Sequence, residues 1–477
     1  MRNVIKKIHF VGVGGSGMSG IAEVLSNLDF EVSGSDIQEN KVVDRLRLAG
    51  ITVHIGHHQQ NIANADVVVV SSAIDEQNPE VCAAMSNDVP VIPRAEMLGE
   101  LMRFQKGIAI AGTHGKTTTT SLVATILMAG GLDPTFVVGG LVNSANANAK
   151  LGRGEYLVAE ADESDASFLN LQPDIVAVTN IDADHMTTYD NDFNKLTDTF
   201  VAFIKNIPFY GRAVLCWDDE NVRKIRPLIH KPILTYGFHE AADIRGDNVR
   251  AQGGTMLFDV SIKSKRMIRD IELNMPGQHN VQNALAAIAI ADHLEVDISD
   301  IKAALSGFSG VGRRFQRLGD LLISGKRVSL VDDYAHHPRE LAATLKAAHG
   351  CWPDRRIIAV FQPHRYSRTH DLFDDFVVEL ADCEKLVICD VYPAGEEPIS
   401  GADGRALCKA IRGRGKTDPV FVPVIEELAS TLESIVADGD VVLTLGAGSI
   451  GKASNDLAGF YQQSESDASN FQGVGNA

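Results

Sequence analysis

One segment constrains this chain more than any other: Ala111-Gly112-Thr113-His114-Gly115-Lys116-Thr117-Thr118. It follows an apolar run at 108–111 and precedes a helical pattern over 118–129, so it reads as the turn between a buried strand and a helix. Backbone N–H groups at such a turn cradle phosphate oxygens. Lys116 reaches the β- and γ-phosphates, and the Thr117 hydroxyl can ligate a divalent cation. The spacing is shorter than the standard P-loop, Gly-Thr-His-Gly-Lys-Thr standing where that pattern has four residues between its glycines. Threonine is a mediocre helix former, so the threonine run at the helix start points to function rather than to a plain turn.

Gly12-Val13-Gly14-Gly15-Ser16-Gly17 fits GxGxxG after another apolar run, and Asp36 ends the next strand, where a ribose-binding acid would sit. Taken alone this predicts an NAD-dependent dehydrogenase. The physics is broader, because glycines that let backbone N–H groups approach a diphosphate serve any nucleotide diphosphate. The guanine-reading pattern NKxD is absent (Asn194-Lys195-Leu196-Thr197-Asp198 misses it by one residue), which favours ATP at the second loop.

Apolar runs alternate with amphipathic stretches along most of the chain, the rhythm of parallel sheets covered by helices. Strands are expected at 8–13, 31–34, 52–55 and 67–71, then at 108–111, 156–159 and 175–179. Antiparallel hairpins follow over 237–275, and further strands at 328–331, 357–361, 386–389 and 441–445. The expected fold class is α/β in three domains: a Rossmann-like domain over 1–106, a central P-loop domain with a parallel sheet plus a small antiparallel one over 107–317, and a Rossmann-like α/β domain over 318–462. The tail over 463–477 lacks apolar periodicity and is expected to be disordered.

Two runs that follow expected strands carry acids, 158–165 with Glu160 and 180–185 with His185. Carboxyl ends of parallel strands share the edge that holds the phosphate loop, which makes Glu160, His185 and Thr117 candidate metal ligands. Further along, Asp333-Tyr334-Ala335-His336-His337-Pro338 and Pro363-His364-Arg365-Tyr366-Ser367-Arg368 end two more strands, and Arg313-Arg314 lies between regions. Arginines bind carboxylates and phosphates bidentately, so these groups point to an anion-handling cleft between domains. The net charge of −18 makes such local cations necessary and speaks against nucleic acid as a partner. Six scattered cysteines without a CxxC pair, no apolar run of membrane length and no cleavable leader are read as cytoplasmic.

Taken together, AGTHGKTTTT, VAEADESDASF, NIDADHMTTY, PGQHNVQNALAA, GVGRRF, VDDYAHHP and FQPHRYSRT resemble the Mur ligases, in their alanine-adding branch, over essentially the whole chain except the tail. The resemblance implies ATP-dependent ligation of L-alanine to the lactyl carboxylate of UDP-N-acetylmuramate through an acyl phosphate, in peptidoglycan synthesis, with Mg²⁺ (or Mn²⁺) as cofactor and a monomer or homodimer as the working form. It implies that Gly14, Gly15, Ser16, Gly17, Asp36 and Ser72 hold the UDP-sugar. ATP would be held by Gly112 to Thr118 together with His279, Asn280, Asn283, Arg313 and Arg314. Tyr334, His336, Arg365 and Arg368 match positions that hold the amino acid and the muramyl group. Lys116, His336, Arg365 and Arg368 are the candidate catalytic residues. The muropeptide-recycling branch, which joins a tripeptide to the same UDP-sugar, is the nearest alternative.

Overall fold

The structure, a computed structural model, describes residues 1, 4–71, 73–143, 147–263 and 266–472, without the side chains of Ser16 and 463–472. Runs of branched apolar residues form its central strands. Val67–Val70 is four valines, and Ile357–Phe361 is buried at every position.

The first sheet contains β1 (Lys7–Val11), β2 (Glu31–Asp36), β3 (Thr52–Ile55), β4 (Val67–Val70) and β5 (Val91–Pro93), in the order β3-β2-β1-β4-β5 and parallel throughout. Ten strands make the second sheet: β6 (Lys106–Ala111), β7 (Thr135–Val142), β8 (Ala147–Lys150), β9 (Tyr156–Glu160), β10 (Ile175–Val178), β11 (Arg212–Cys216), β12 (Ile233–Gly237), β13 (Ile244–Gln252), β14 (Thr255–Ile262) and β15 (Arg266–Leu273). Their order is β15-β14-β13-β12-β11-β10-β6-β9-β7-β8, with β8 antiparallel at one edge. Gly253 and Gly254, both at positive φ, make the tight β13–β14 turn, one of the expected hairpins, whereas β12 and β13 pair in parallel. The third sheet joins β16 (Gln316–Ile323), β17 (Lys326–Asp333), β18 (Ile357–Phe361), β19 (Lys385–Cys389), β20 (Val420–Val422) and β21 (Val441–Leu445), in the order β16-β17-β21-β18-β19-β20, with only the β16–β17 pair antiparallel.

The fold class is therefore the expected α/β. Two compact units divide the chain. The first comprises 1–249, 257–274 and 280–311, and the second comprises 250–256, 275–279 and 312–477. The first two sheets share the first unit, except for the tip of the β13–β14 hairpin over 250–256. The helix Ser16–Asn27 helps join them: a Cβ on its Gly20 would stand 2.9 Å from the Ala149 side chain on β8. The last helix spans Ile450–Gln472 and so enters the stretch expected as a tail. Residues 473–477 lie outside the described part.

A buried polar network underlies the first glycine loop. Glu80 is wholly buried, and its carboxylate accepts from Ser35 Oγ (2.5 Å), Asn61 Nδ2 (2.6 Å) and His58 N (3.3 Å), with His9 Nε2 at 3.5 Å. The carbonyl of that same Ser35 accepts the N–H groups of Gly12 and Val13. Burial opposes the Glu80 charge, but His9, Ser35 and Asn61 outweigh it and bring its pKa down to about 2. A carboxyl lowered by folding contributes stability above its unfolded pKa near 4.5 and loses that contribution as pH falls toward 2. Glu80→Gln is therefore expected to cost about 2 kcal/mol at pH 7. In urea unfolding at a series of pH values, the gap from wild type should narrow below pH 4.5; a gap independent of pH would contradict this account.

Candidate active site

The Gly112 to Lys116 turn joins β6 to the helix Lys116–Ala129. Gly112 has φ +126° and Gly115 φ +82°, conformations that favour glycine. Gly115 caps the helix with no side-chain hydrogen bond, and no acid lies in the first turn, so the helix presents its N-terminal N–H groups and positive dipole end to an anion. The turn after β10 straps the loop from behind. Asn180 Oδ1 accepts His114 N (2.8 Å), Thr179 Oγ1 donates to His114 O (2.6 Å), and His114 Nε2 lies 3.2 Å from Asp182 Oδ2. Asn283, from the helix Gln278–His293, closes the other side: a Cβ on Gly115 would lie 2.6 Å from its Oδ1. Asn283 also donates to Asn280 Oδ1 (3.3 Å).

The threonine run is more structural than its composition suggests. Thr119 and Thr120 are fully buried, and Thr120 Oγ1 donates to the carbonyl of Lys116 four residues back. Thr117, 8% exposed, is the first threonine of the run, directly after Lys116.

Sheet order explains why acids from distant segments gather here. The neighbours of β6 are β10 and β9, all parallel, so their carboxyl ends flank the loop. Glu160 ends β9, and its Oε1 accepts Gly139 N at 2.7 Å. His185 follows β10 at φ +54°, its Nε2 3.6 Å from Asp184 Oδ2. Thr117 and Glu160 offer the hard oxygen donors that Mg²⁺ or Mn²⁺ takes, and His185 adds an imidazole, a softer ligand than such ions usually select. Glu163, one of the four acids in the 158–165 run, binds Lys116: the ammonium lies 2.8 and 3.0 Å from its carboxylate oxygens. Burial alone would lower the Lys116 pKa, but Glu163 and Asp162 outweigh it and hold it above the ordinary lysine value.

At the first glycine loop, Gly12 takes φ +80° and the helix Ser16–Asn27 begins with no side-chain cap. Asp36 Oδ2 accepts Gly14 N at 2.8 Å, so this acid holds the loop itself. A Cβ on Gly17 would meet the Arg94 guanidinium at 3.2 Å, and Arg94 Nη2 lies 3.9 Å from Asp162 Oδ2. Arg94 carried no local signal in the sequence. Ser72 lies outside the described residues.

In the second unit, Tyr334 and His336 follow β17 and Arg365 and Arg368 follow β18, the two strands that flank β21, while Arg313 and Arg314 precede β16 and His279 lies in the first turn of the helix Gln278–His293. Arg313 and Arg314 both stand against the Tyr334 ring, at 5.0 and 5.1 Å. They are not equivalent: Arg313 is bound to the buried Asp332 carboxylate (2.9 Å) and to Gly446 O (2.5 Å). Arg314 is thus the better candidate for a ligand phosphate. His336 Nδ1 lies 3.0 Å from Tyr334 O, and a carbonyl can only accept, so neutral His336 carries its lone pair on Nε2. His364 faces His336 at 6.0 Å between ring centroids. Burial, then His336 and the two arginines, push the His364 pKa down to about 3. Arg368 is 8% exposed and lies along His364, with Nη1 3.4 Å from its carbonyl. Arg365 Nη1 reaches Glu396 Oε1 at 3.2 Å. Burial lowers the His279 pKa to about 4, so this ring is neutral at physiological pH.

Three family patterns cover the chain: Mur ligase family, catalytic domain, over 7–106; Mur ligase middle domain over 110–291; and Mur ligase, glutamate ligase domain, over 313–448. A UDP-N-acetylmuramate–L-alanine ligase of Aromatoleum aromaticum is 57% identical over 465 residues, covering 96% of this chain and 99% of its own. A ligase of the same description from Paraburkholderia phytofirmans is 57% identical, covering 96% and 99%. The crystal structure of UDP-N-acetylmuramate-alanine ligase MurC from Thermotoga maritima superposes with a TM-score of 0.81 at 31% identity, covering 96% of this chain and 99% of that one.

Proposed function

This chain belongs to the Mur ligase family, and on that premise we propose that it joins L-alanine to the lactyl carboxylate of UDP-N-acetylmuramate, driven by cleavage of ATP to ADP and phosphate. It is an ATP-dependent amide-bond ligase of peptidoglycan synthesis. The phosphate loop carries this reading: it lies between the Glu160 and His185 strand ends, and the chain is similar over nearly its whole length to ligases of that description.

Domains over 1–106, 107–317 and 318–462 divide the work. The first glycine loop, with Gly14 to Gly17, Asp36 and Ser72, takes the UDP-sugar. Gly112 to Thr118 take the ATP phosphates, and His279, Asn280 and Asn283 take the adenine. Thr117, Glu160 and His185 hold Mg²⁺, or Mn²⁺, which neutralises charge on the β- and γ-phosphates when bound. A cytoplasmic location fits: among the described residues no helix is long and apolar enough to cross a membrane, and the six cysteines are free thiols.

The chemistry follows from the cations. A lactyl carboxylate oxygen attacks the γ-phosphorus, the bond to the β-phosphate bridge breaks, and ADP leaves. Lys116 and Arg314 stabilise the spreading negative charge. The neutral amine of L-alanine then attacks the acyl carbon, the C–O bond to phosphate breaks, and the nitrogen loses a proton. His336 Nε2 is the candidate acceptor, and Tyr334, Arg365 and Arg368 hold the carboxylates. Water must be kept from the acyl phosphate throughout.

Phosphate release from ATP tests the assignment. With UDP-N-acetylmuramate present, L-alanine is expected to drive release and a product heavier by one alanine residue. Release driven by the tripeptide and not by L-alanine would place the chain in the muropeptide-recycling branch instead.

A further inference from the structure

The Lys116 ammonium sits among four acceptors: Gly112 O (2.8 Å), Thr113 O (3.2 Å) and both Glu163 oxygens (3.0 and 2.8 Å). Glu163 is 2% exposed. Its backbone is fixed, because the Tyr189 hydroxyl and Ala166 N both donate to its carbonyl. Burial, with the neighbouring Asp162 charge, holds its carboxyl above the ordinary glutamate value, and the Lys116 charge opposes that rise without cancelling it. A buried lysine without a counter-charge would be costly, and so would a buried glutamate without its lysine. The pair thus satisfies, inside the loop, the charge that a nucleotide phosphate would otherwise bring.

We propose that Glu163 is a positioning residue that stands in for nucleotide phosphate, holding Lys116 in the ATP-free loop so that incoming phosphates must displace it. The proposal rests on the reading of Gly112 to Thr118 as the ATP phosphate site and adds a competitor to that site. Its signature depends on phosphate. ATP and ADP compete with the carboxylate for Lys116, whereas adenosine does not, so a merely structural Glu163 would affect all three alike.

The test is calorimetric binding of ATP, ADP and adenosine to the full chain and to Glu163→Gln. The variant is expected to bind ATP and ADP about tenfold more tightly, the worth of one charge-assisted hydrogen bond, with adenosine unchanged. Unchanged or weaker ATP binding would overturn the proposal, as would equal shifts for all three ligands. Thermal melting of Lys116→Met and of the double variant Lys116→Met/Glu163→Gln decides the matter if Glu163→Gln alone does not fold. Lys116→Met strands a buried carboxylate, so the double variant should melt about 3 °C or more higher. A double variant no more stable than Lys116→Met contradicts the pairing. Wild-type ATP affinity in Lys116→Met would instead overturn the phosphate-loop reading, whatever Glu163 does.

Discussion

Lys116→Ala is expected to lower kcat/KM for ligation by about 10³-fold or more while UDP-N-acetylmuramate still binds. In-line transfer of a phosphoryl group from ATP to a carboxylate brings anionic oxygens together, and preorganised cations at the β- and γ-phosphates supply much of the barrier lowering. Lys116 opens the helix that presents its N-terminal N–H groups to the same phosphates, so the loss is electrostatic and local. The first glycine loop stands on the other sheet of this unit, its backbone set by Gly14 N to Asp36 and by the Ser35 carbonyl, none of which involves Lys116. Part of the effect is stability, because alanine leaves Glu163 buried without its cation, a penalty of roughly 3–5 kcal/mol. UDP-sugar titration of the variant, beside its initial rates, separates the two effects. Near wild-type turnover would remove the phosphate loop from the mechanism.

Arg365→Ala should raise the L-alanine requirement about 10–100-fold, the net worth of a charge-assisted contact to a carboxylate, and leave the ATP requirement near wild type. Arg365 occupies φ +71°, which side-chain-bearing residues rarely adopt. Three hydrogen bonds hold it there: Arg365 N to Tyr392 O (2.9 Å), and Thr369 N (3.1 Å) and Thr369 Oγ1 (2.8 Å) to Arg365 O. Such strain persists only where the surroundings over-determine it, and here it aims a half-exposed guanidinium beside His364 and Arg368. Glu396 would keep Ser367 N and Oγ as donors, so the local fold should survive. Steady-state kinetics with each substrate varied in turn makes the comparison, and an unaltered L-alanine dependence would exclude Arg365 from the amino-acid site.

Local backbone requirements are what the sequence made readable. Gly112 and Gly115 must take positive φ, and a strand, a glycine turn and a helix are written in consecutive residues, so the loop and the parallel order around it could be anticipated. Partnerships across the chain were not readable. Glu163 lies 47 residues from Lys116, in a run where four acids look alike until the fold turns one of them inward. Arg313 and Arg314 are neighbours in sequence, and only the buried Asp332 separates their roles by taking Arg313. The threonines after Lys116 looked functional because they are poor helix formers, yet Thr119 and Thr120 are core residues of their helix. The Glu80 network left no local pattern, since its partners come from three strand regions and a helix.

Isotope transfer tests the central claim, activation of the carboxylate by ATP, most directly. UDP-N-acetylmuramate labelled with ¹⁸O in its lactyl carboxylate is allowed to react with ATP and L-alanine, and the released phosphate is weighed by mass spectrometry. One labelled oxygen is expected in each phosphate, because the carboxylate oxygen that attacks phosphorus departs with it when the amine displaces it. Unlabelled phosphate alongside full product would contradict the account.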